Sequence, residues 1–408
     1  MKIGYPCQCI GVANIAQRTC IKKFATNEKL YEIIAHNLNA LEAILDYNHQ
    51  IQVQLFRISS DLIPFGSSEV NQLPWTSLFQ KRLTQIGKKI TNYGMRVSMH
   101  PGQYTLLNAL DQEIIQRSIL DLRYHCDVLN SLHCDASHKL ILHIGGVYGD
   151  KKASMERFIQ VYQTLEEDIK SRLIIENDDR YYTLEEVLWI SSQTGIPVVF
   201  DNLHHECNPS LSNYSERACM ELVKKTWQQK DGNMKIHYSQ QNLEKRKGAH
   251  ASFLRGEEFL SFVKQVPEHV DIMLEIKDKN RSALQANYLL QLMPYDQAAL
   301  CQQYQYLVLY HNEELYHTMT KEQCNVYAFF QLIQCALSTP VTKTSVISCY
   351  QYILYLWKPR LSDKLYMDCE KALFRYEAGK LSEAGLCSAF TRANASFETV
   401  SDYLFLNV

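Results

Sequence analysis

The chain lacks any apolar run approaching the roughly 18 residues needed to span a bilayer, so it is not a helical membrane protein. Its start, MKIGYPCQCIGV, has no signal-peptide apolar core, and a cytoplasmic protein is expected. An excess of one charge is also missing: 42 Lys and Arg stand against 44 Asp and Glu, a net charge of −2. No cationic surface of the whole molecule draws in nucleic acid, so any such partner must be met by a local patch. The 13 Cys are scattered, with Cys7 and Cys9 as the one close pair, which argues against a disulfide framework and for reduced thiols. Low-complexity tracts and short-period repeats are absent as well.

What is present is an alternation. Strand-like runs fall at about residues 2–7, 52–59, 96–101, 138–145, 172–177, 196–203, 233–239 and 271–277. Between them lie segments with apolar residues at three- and four-residue spacing, such as EKLYEIIAHNLNALEAILDYN and EIIQRSILDLRYHCDVLNSL. Eight strand–helix alternations predict parallel strands joined by crossovers, a TIM (β/α)8 barrel over residues 1–295. After Lys277 the pattern is helical only, as in NVYAFFQLIQCAL, and residues 296–408 are expected to form an α-helical C-terminal extension. Its many Tyr and Leu read as helix core rather than as a base-stacking surface. It weakly resembles a small helical domain found in other bacterial proteins, a resemblance that implies no chemistry.

Six of the eight runs end in a candidate metal ligand: His100, His143, Glu176, Asp201 with His204, Lys235 with His237, and Glu275. In a barrel all strand C-termini open on one face, so these residues converge. A lone His is more often a satisfied buried group; six strands ending alike reverse that reading. Imidazole and carboxylate donors without paired thiolates suit zinc, manganese or iron, and so many donors imply two or three ions. Ion pairs of this kind serve phosphodiester cleavage, while isomerisation or epimerisation of a sugar on a two-metal barrel is the rival. A damage-sensing DNA-binding protein with structural metals is the non-enzymatic rival. Alternation along a strand puts Lys235 and His237 on one face, an odd place for an ammonium. The stretch LEKRKGAH sets Lys245, Arg246 and Lys247 ahead of His250 as a local basic patch.

The runs GYPC (4–7), FRISSDLIPF (56–65), SMHPGQY (98–104), LHIGGVYGDK (142–151), IENDDR (175–180), FDNLHHECNP (200–209), KIHYSQQ (235–241), KGAH (247–250) and DIMLEIKDK (271–279) resemble the UV damage endonuclease family, in its order, over about residues 1–280. That family has a TIM barrel related to endonuclease IV, so an endonuclease IV-like AP endonuclease is the alternative function. The resemblance implies incision of double-stranded DNA immediately 5′ to UV photoproducts, leaving 3′-hydroxyl and 5′-phosphate ends, by a monomer with no membrane partner. It implies that His100, His143 and Glu176 share one ion, that Glu176 bridges to a second held by Asp201, His237 and Glu275, and that His204 and His250 hold a third. Manganese is the ion implied, with zinc, cobalt or magnesium as alternatives. Glu176, Lys235 and Glu275 are the implied catalytic groups, Lys235 in carboxylated form. Gln103 and Tyr104 match a pair inserted into the duplex opposite the lesion, Tyr5 matches a lesion contact, and Lys235, Arg246 and Lys247 are expected DNA contacts. The chain departs from the family pattern at Gln8–Cys9, where Asn is frequent, and at Ser68–Glu69, where His is frequent; these departures bear on lesion contacts and on an outer metal or phosphate contact.

Overall fold

The computed structural model describes residues 1–10, 12 and 15–394. Eight strands stand where the apolar runs place them: β1 (Ile3–Pro6), β2 (Leu55–Ile58), β3 (Arg96–Met99), β4 (Leu140–His143), β5 (Leu173–Glu176), β6 (Val198–Val199), β7 (Met234–Tyr238) and β8 (Val270–Leu274). Paired neighbours are parallel, in the order β6-β5-β4-β3-β2-β1-β8-β7. Between β6 and β7 the ring closes through one parallel bridge, Asp201 to His237, where the His237 N–H donates to the Phe200 carbonyl at 3.0 Å. This is the expected TIM barrel with its crossover helices. Strand residues such as Ile141, Ile174, Val198 and Ile272 are wholly buried, as strands covered on both faces require.

The strands are shorter than the runs that announced them. The run expected over 196–203 pairs only at Val198–Val199, because the Asp201 carboxylate accepts from the His204 N–H at 2.8 Å and starts the helix Asn202–Cys207. Elsewhere too the ladder ends as the chain bends outward, so His100 and Glu275 follow their strands instead of lying in them. The crossover helices carry clear stop and start signals. Thr26 and Asp111 cap the helices Asn27–Gln50 and Gln112–Ser131, and Thr183 with Glu186 forms a capping box on Leu184–Thr194, which ends at the left-handed Gly195.

Polar side chains fill the barrel axis at two levels. At the level of the strand N-termini, Arg96 donates to Asp271 Oδ2 at 3.1 Å and to the Asp231 carbonyl at 2.8 Å, and buried Lys139 pairs with Asp231. At the other level lies the cluster described below.

The chain divides into two compact units, Met1–Gln8 with Asn14–Asn287, and Cys9–Ala13 with Tyr288–Val408. The second unit holds the helices Gln297–His311, Glu313–Lys321, Val326–Ser338, Lys343–Trp357, Asp363–Glu377 and Glu383–Asn394. Buried aromatics form its core, for example Tyr350 edge-on to Phe390 at 4.6 Å and Phe329 to Phe330 at 5.7 Å. Among the described residues no disulfide links two cysteines, and no helix is long and apolar enough to cross a membrane.

Candidate metal centre

Five of the expected ligands meet at the C-terminal mouth of the barrel in two three-donor groups, His100–His143–Glu176 and Glu176–Asp201–His237, the two found among the described residues. Glu176 belongs to both. Its Oε2 lies 3.7 Å from His100 Nε2 and 3.9 Å from His143 Nε2, while its Oε1 lies 2.8 Å from His237 Nδ1. The first group borders an open groove; the second is fully buried beneath it. His204 stands beside them, its Nδ1 3.5 Å from Glu176 Oε1 and 3.8 Å from Asp201 Oδ1.

Backbone contacts aim these donors. His100 Nδ1 faces the Pro101 carbonyl at 2.9 Å, leaving Nε2 toward Glu176. Asn177 ties β5 to β6 by donating to the Asp201 carbonyl and accepting the Asp201 N–H, both at 3.0 Å. Such outer contacts fix ligand orientation. Asn177 stands inside the word IENDDR, but nothing in its residue type marks it as a clip.

Arg57 is the functional residue that the ligand pattern missed. Its Nη2 donates to Glu275 Oε1 at 2.6 Å and faces His237 Nε2 at 2.9 Å, a contact between β2 and β7 made across the barrel axis. Glu275 therefore meets a guanidinium here and stands outside the two donor groups, with its Oε1 3.5 Å from His237 Nδ1. The available signal was a charged residue within the otherwise apolar run LFRI, which cannot be buried without a partner.

The charges are tightly interlocked. Burial disfavours ionised Glu176, but His237 and His143 hold its carboxyl well below the usual range. Burial likewise opposes ionised Glu275, and Arg57 and His237 pull it down. Burial raises the Asp201 carboxyl, and although burial opposes a charged His204, Asp201 and Glu176 push that imidazole up. Burial lowers His237 to about 4. Glu176 Oε2, Asp201 Oδ2 and His143 Nδ1 are buried without a hydrogen-bond partner, which is costly in a finished core. Nitrogen and oxygen donors converging around orphaned carboxylate oxygens fit divalent cations.

The remaining expected residues fall as follows. His250 is half-buried on the loop after β7, bridged to Gln241, and no third donor group unites it with His204 among the described residues. Lys235 is wholly buried one layer below His237, opposite Asp271. Burial pushes its amine well below the ordinary lysine range, Arg96 and Arg57 add to this, and Glu176 and Asp271 oppose it. Gln103 and Tyr104 are exposed on the turn after β3, Tyr104 by 81%. Arg246 lines the groove, and exposed Lys247 donates to the Cys207 carbonyl at 3.1 Å. Tyr5 is not on the groove: it is wholly buried, its hydroxyl donating to Asn48 Oδ1 at 2.6 Å and its ring edge-on to Phe56.

A family model described as UV-endonuclease UvdE matches residues 1–304. A UV DNA damage endonuclease of Clostridium perfringens (strain 13 / Type A) is 38% identical over 373 residues, 89% of this chain and 90% of its own length. One of Bacillus mycoides (strain KBAB4) is 34% identical over 268 residues, 65% of this chain and 84% of its own. Among solved structures, SacUVDE superposes with a TM-score of 0.68 at 37% identity, over 72% of this chain and 98% of that one.

Proposed function

This chain belongs to the UV-endonuclease UvdE family, and from that premise we propose that it cuts duplex DNA immediately 5′ to UV photoproducts, both cyclobutane pyrimidine dimers and 6-4 photoproducts, using divalent ions. It is a DNA repair endonuclease; the position of the cut, the 3′-hydroxyl and 5′-phosphate ends and the ions are the proposal. The observation that supports it is the pair of donor groups sharing Glu176, with carboxylate oxygens of Glu176 and Asp201 buried and unpartnered.

His100, His143 and Glu176 would hold one ion, and Glu176, Asp201, His237 and Glu275 a second, with His204 and His250 serving a third; manganese is the ion we favour. Bound there, divalent ions would supply Lewis acidity, making water a nucleophile near neutral pH and offsetting charge on the phosphate oxygens. The protein's own part is positioning. Arg57 keeps the Glu275 charge compensated inside the barrel. Arg246 at the groove and its exposed neighbour Lys247 would meet backbone phosphates. Gln103 and Tyr104 enter the space left by unstacked bases, Tyr104 by its ring and Gln103 by its amide. Lys235 would carry a carbamate: its neutral amine would form an N–C bond to CO₂ and release a proton, and the resulting negative charge would face Arg57 and Arg96.

The test is nicking of a duplex carrying one cyclobutane dimer, with Mn²⁺ and with chelator. Cleavage on the 5′ side of the dimer, abolished by chelation, is expected. Equal cleavage of an undamaged duplex, or cleavage that survives chelation, overturns the proposal. Gln103→Ala with Tyr104→Ala should keep the bound ions yet lose most of the preference for damaged over intact duplex, read from paired nicking rates.

A further inference from the structure

The groove at the first donor group has two walls and a floor. Strand order places β4 between β3 and β5, so the loop after β4 lies between the loops after β3 and β5. All three line the same groove of about 520 Å³: Gly102 and Gln103 from the first, Gly145 and Gly146 from the middle one, and Asp178 to Tyr181 from the third. The floor has no side chains. At Gly145 φ is +113° and an added Cβ would meet Asn108 Oδ1 at 2.4 Å, so the position admits only glycine. The floor is also stiff, since the Gly146 carbonyl accepts from Asn108 Nδ2 at 2.7 Å and from the Tyr182 hydroxyl at 2.8 Å.

The third loop is built with equal care. The Asp178 carboxylate accepts three successive backbone N–H groups, from Arg180 at 2.8 Å, from Tyr181, and from Tyr182 at 3.0 Å. A buried carboxylate capping three amides leaves the turn little freedom. The turn points Tyr182 into the wall and Arg180 and Tyr181 outward, with Arg180's side chain 54% and Tyr181 49% exposed. Neither the ring nor the hydroxyl of Tyr181 has a partner among the described residues. Tyr148, the exposed tyrosine of the middle loop, is by contrast held against the Arg157 guanidinium at 5.6 Å. Arg180 faces Asp179 at 3.5 Å through Nε. The fold thus fixes the backbone that carries an aromatic ring with no partner among the described residues and a guanidinium paired with its neighbour Asp179.

We propose that Arg180 and Tyr181 form a second nucleotide-binding shelf, across the glycine floor from Gln103. Tyr181 offers a face on which one base of the substrate stacks, and Arg180 takes an adjoining phosphate oxygen. A stacking ring beside a phosphate-binding cation is the recurring device for holding an unpaired nucleotide, and a turn whose backbone is already fixed loses little backbone entropy when the base arrives. The inference rests on the proposed DNA substrate and adds two contacts to it.

Single-turnover nicking of the dimer-bearing duplex in Mn²⁺, at several enzyme and KCl concentrations, tests it. Tyr181→Ala should raise the half-saturating enzyme concentration about ten-fold, in line with loss of one stacked base, with the maximal rate changed less than about two-fold. Tyr181→Phe should restore it. Arg180→Ala should lower the slope of log affinity against log salt by about one, and Arg180→Lys should recover that slope. Thermal unfolding of all four variants in chelator should match the parent, since the shelf carries no packing. If the parent nicks the dimer while Tyr181→Ala and Arg180→Ala match it in affinity and salt slope, the shelf is a solvated turn and the inference is wrong. If a variant weakens affinity only in step with a lowered melting temperature, the effect is on folding and the inference is equally wrong. A parent that does not nick the dimer removes the proposed function itself, and the shelf with it.

Discussion

Two carboxylates at the barrel mouth differ in the groups that face them, and that difference is measurable. Glu176 sits among imidazoles, whereas Glu275 is held by the Arg57 guanidinium at 2.6 Å. Arg57→Met should leave Glu275 buried without its counter-charge and cost about 3–5 kcal/mol in chelator. Added Mn²⁺ should narrow that loss, because a cation then returns positive charge to the cluster. Urea unfolding with and without Mn²⁺ checks both signs; equal losses in the two buffers would show that Arg57 acts by packing alone. Glu176→Gln should lower nicking by several orders of magnitude while the fold survives, with bound metal measured on the same sample. At the barrel's opposite end, burial lowers His138 to about 4, Arg96 and Arg172 adding to the effect against Asp135, and its Nδ1 accepts the Val97 N–H at 3.0 Å. Its ordinary value is about 6.5, so between those values the unfolded chain binds a proton that the folded chain does not. Stability should fall as pH drops from 6.5 to 4, and His138→Gln should flatten the part of the fall that belongs to this residue.

At the scale of elements, the centre depends on where strands stop. Asp201 has two tasks, since Oδ1 caps the helix Asn202–Cys207 and Oδ2 is the orphan aimed at the donor group. Asp201→Asn should retain the cap and lose the ion, whereas Asp201→Ala should lose both, with a further cost of about 1 kcal/mol. Melting temperature and metal stoichiometry on the two variants separate the tasks. This double use also explains what was legible in the sequence. The eight strands were visible as apolar runs, and the candidate ligands as polar residues at their ends. The early end of β6 was not visible, because it depends on a side-chain cap inside a run of good strand formers. Arg57 was visible as a residue but not as a partner, since its pairing with Glu275 joins β2 to the end of β8 across the axis. Tyr5 is a similar case: its position in GYPC could be read, but Asn48 as the acceptor of its hydroxyl could not.

For the whole molecule, a net charge of −2 limits how DNA is gathered. Arg180 and Arg246 are the Arg and Lys residues that line the groove, and exposed Lys247 follows Arg246 in the chain. With about 0.9 counterion released per phosphate contact, log affinity should fall against log salt with a slope near −3, far shallower than for a broadly basic protein. Fluorescence anisotropy across a KCl series gives the slope, and a value near −10 would mean that another basic surface takes part.

A hoop fastened at one clasp is only as tight as that clasp. Between β6 and β7 the barrel is joined by the Asp201–His237 bridge, by the His237 amide on the Phe200 carbonyl and by the Asn202 side chain on the Ser239 backbone, and both bridge residues belong to one donor group. An ion drawn between those two side chains would therefore also be a rivet through the seam of the wall. Removing it should let the amide hydrogens of His237 and its neighbours in β7 trade with solvent deuterium sooner than those of β2 or β3, whose ladders do not touch the seam. Returning Mn²⁺ should slow that exchange again, so that the tightness of the wall would report on occupancy of the site.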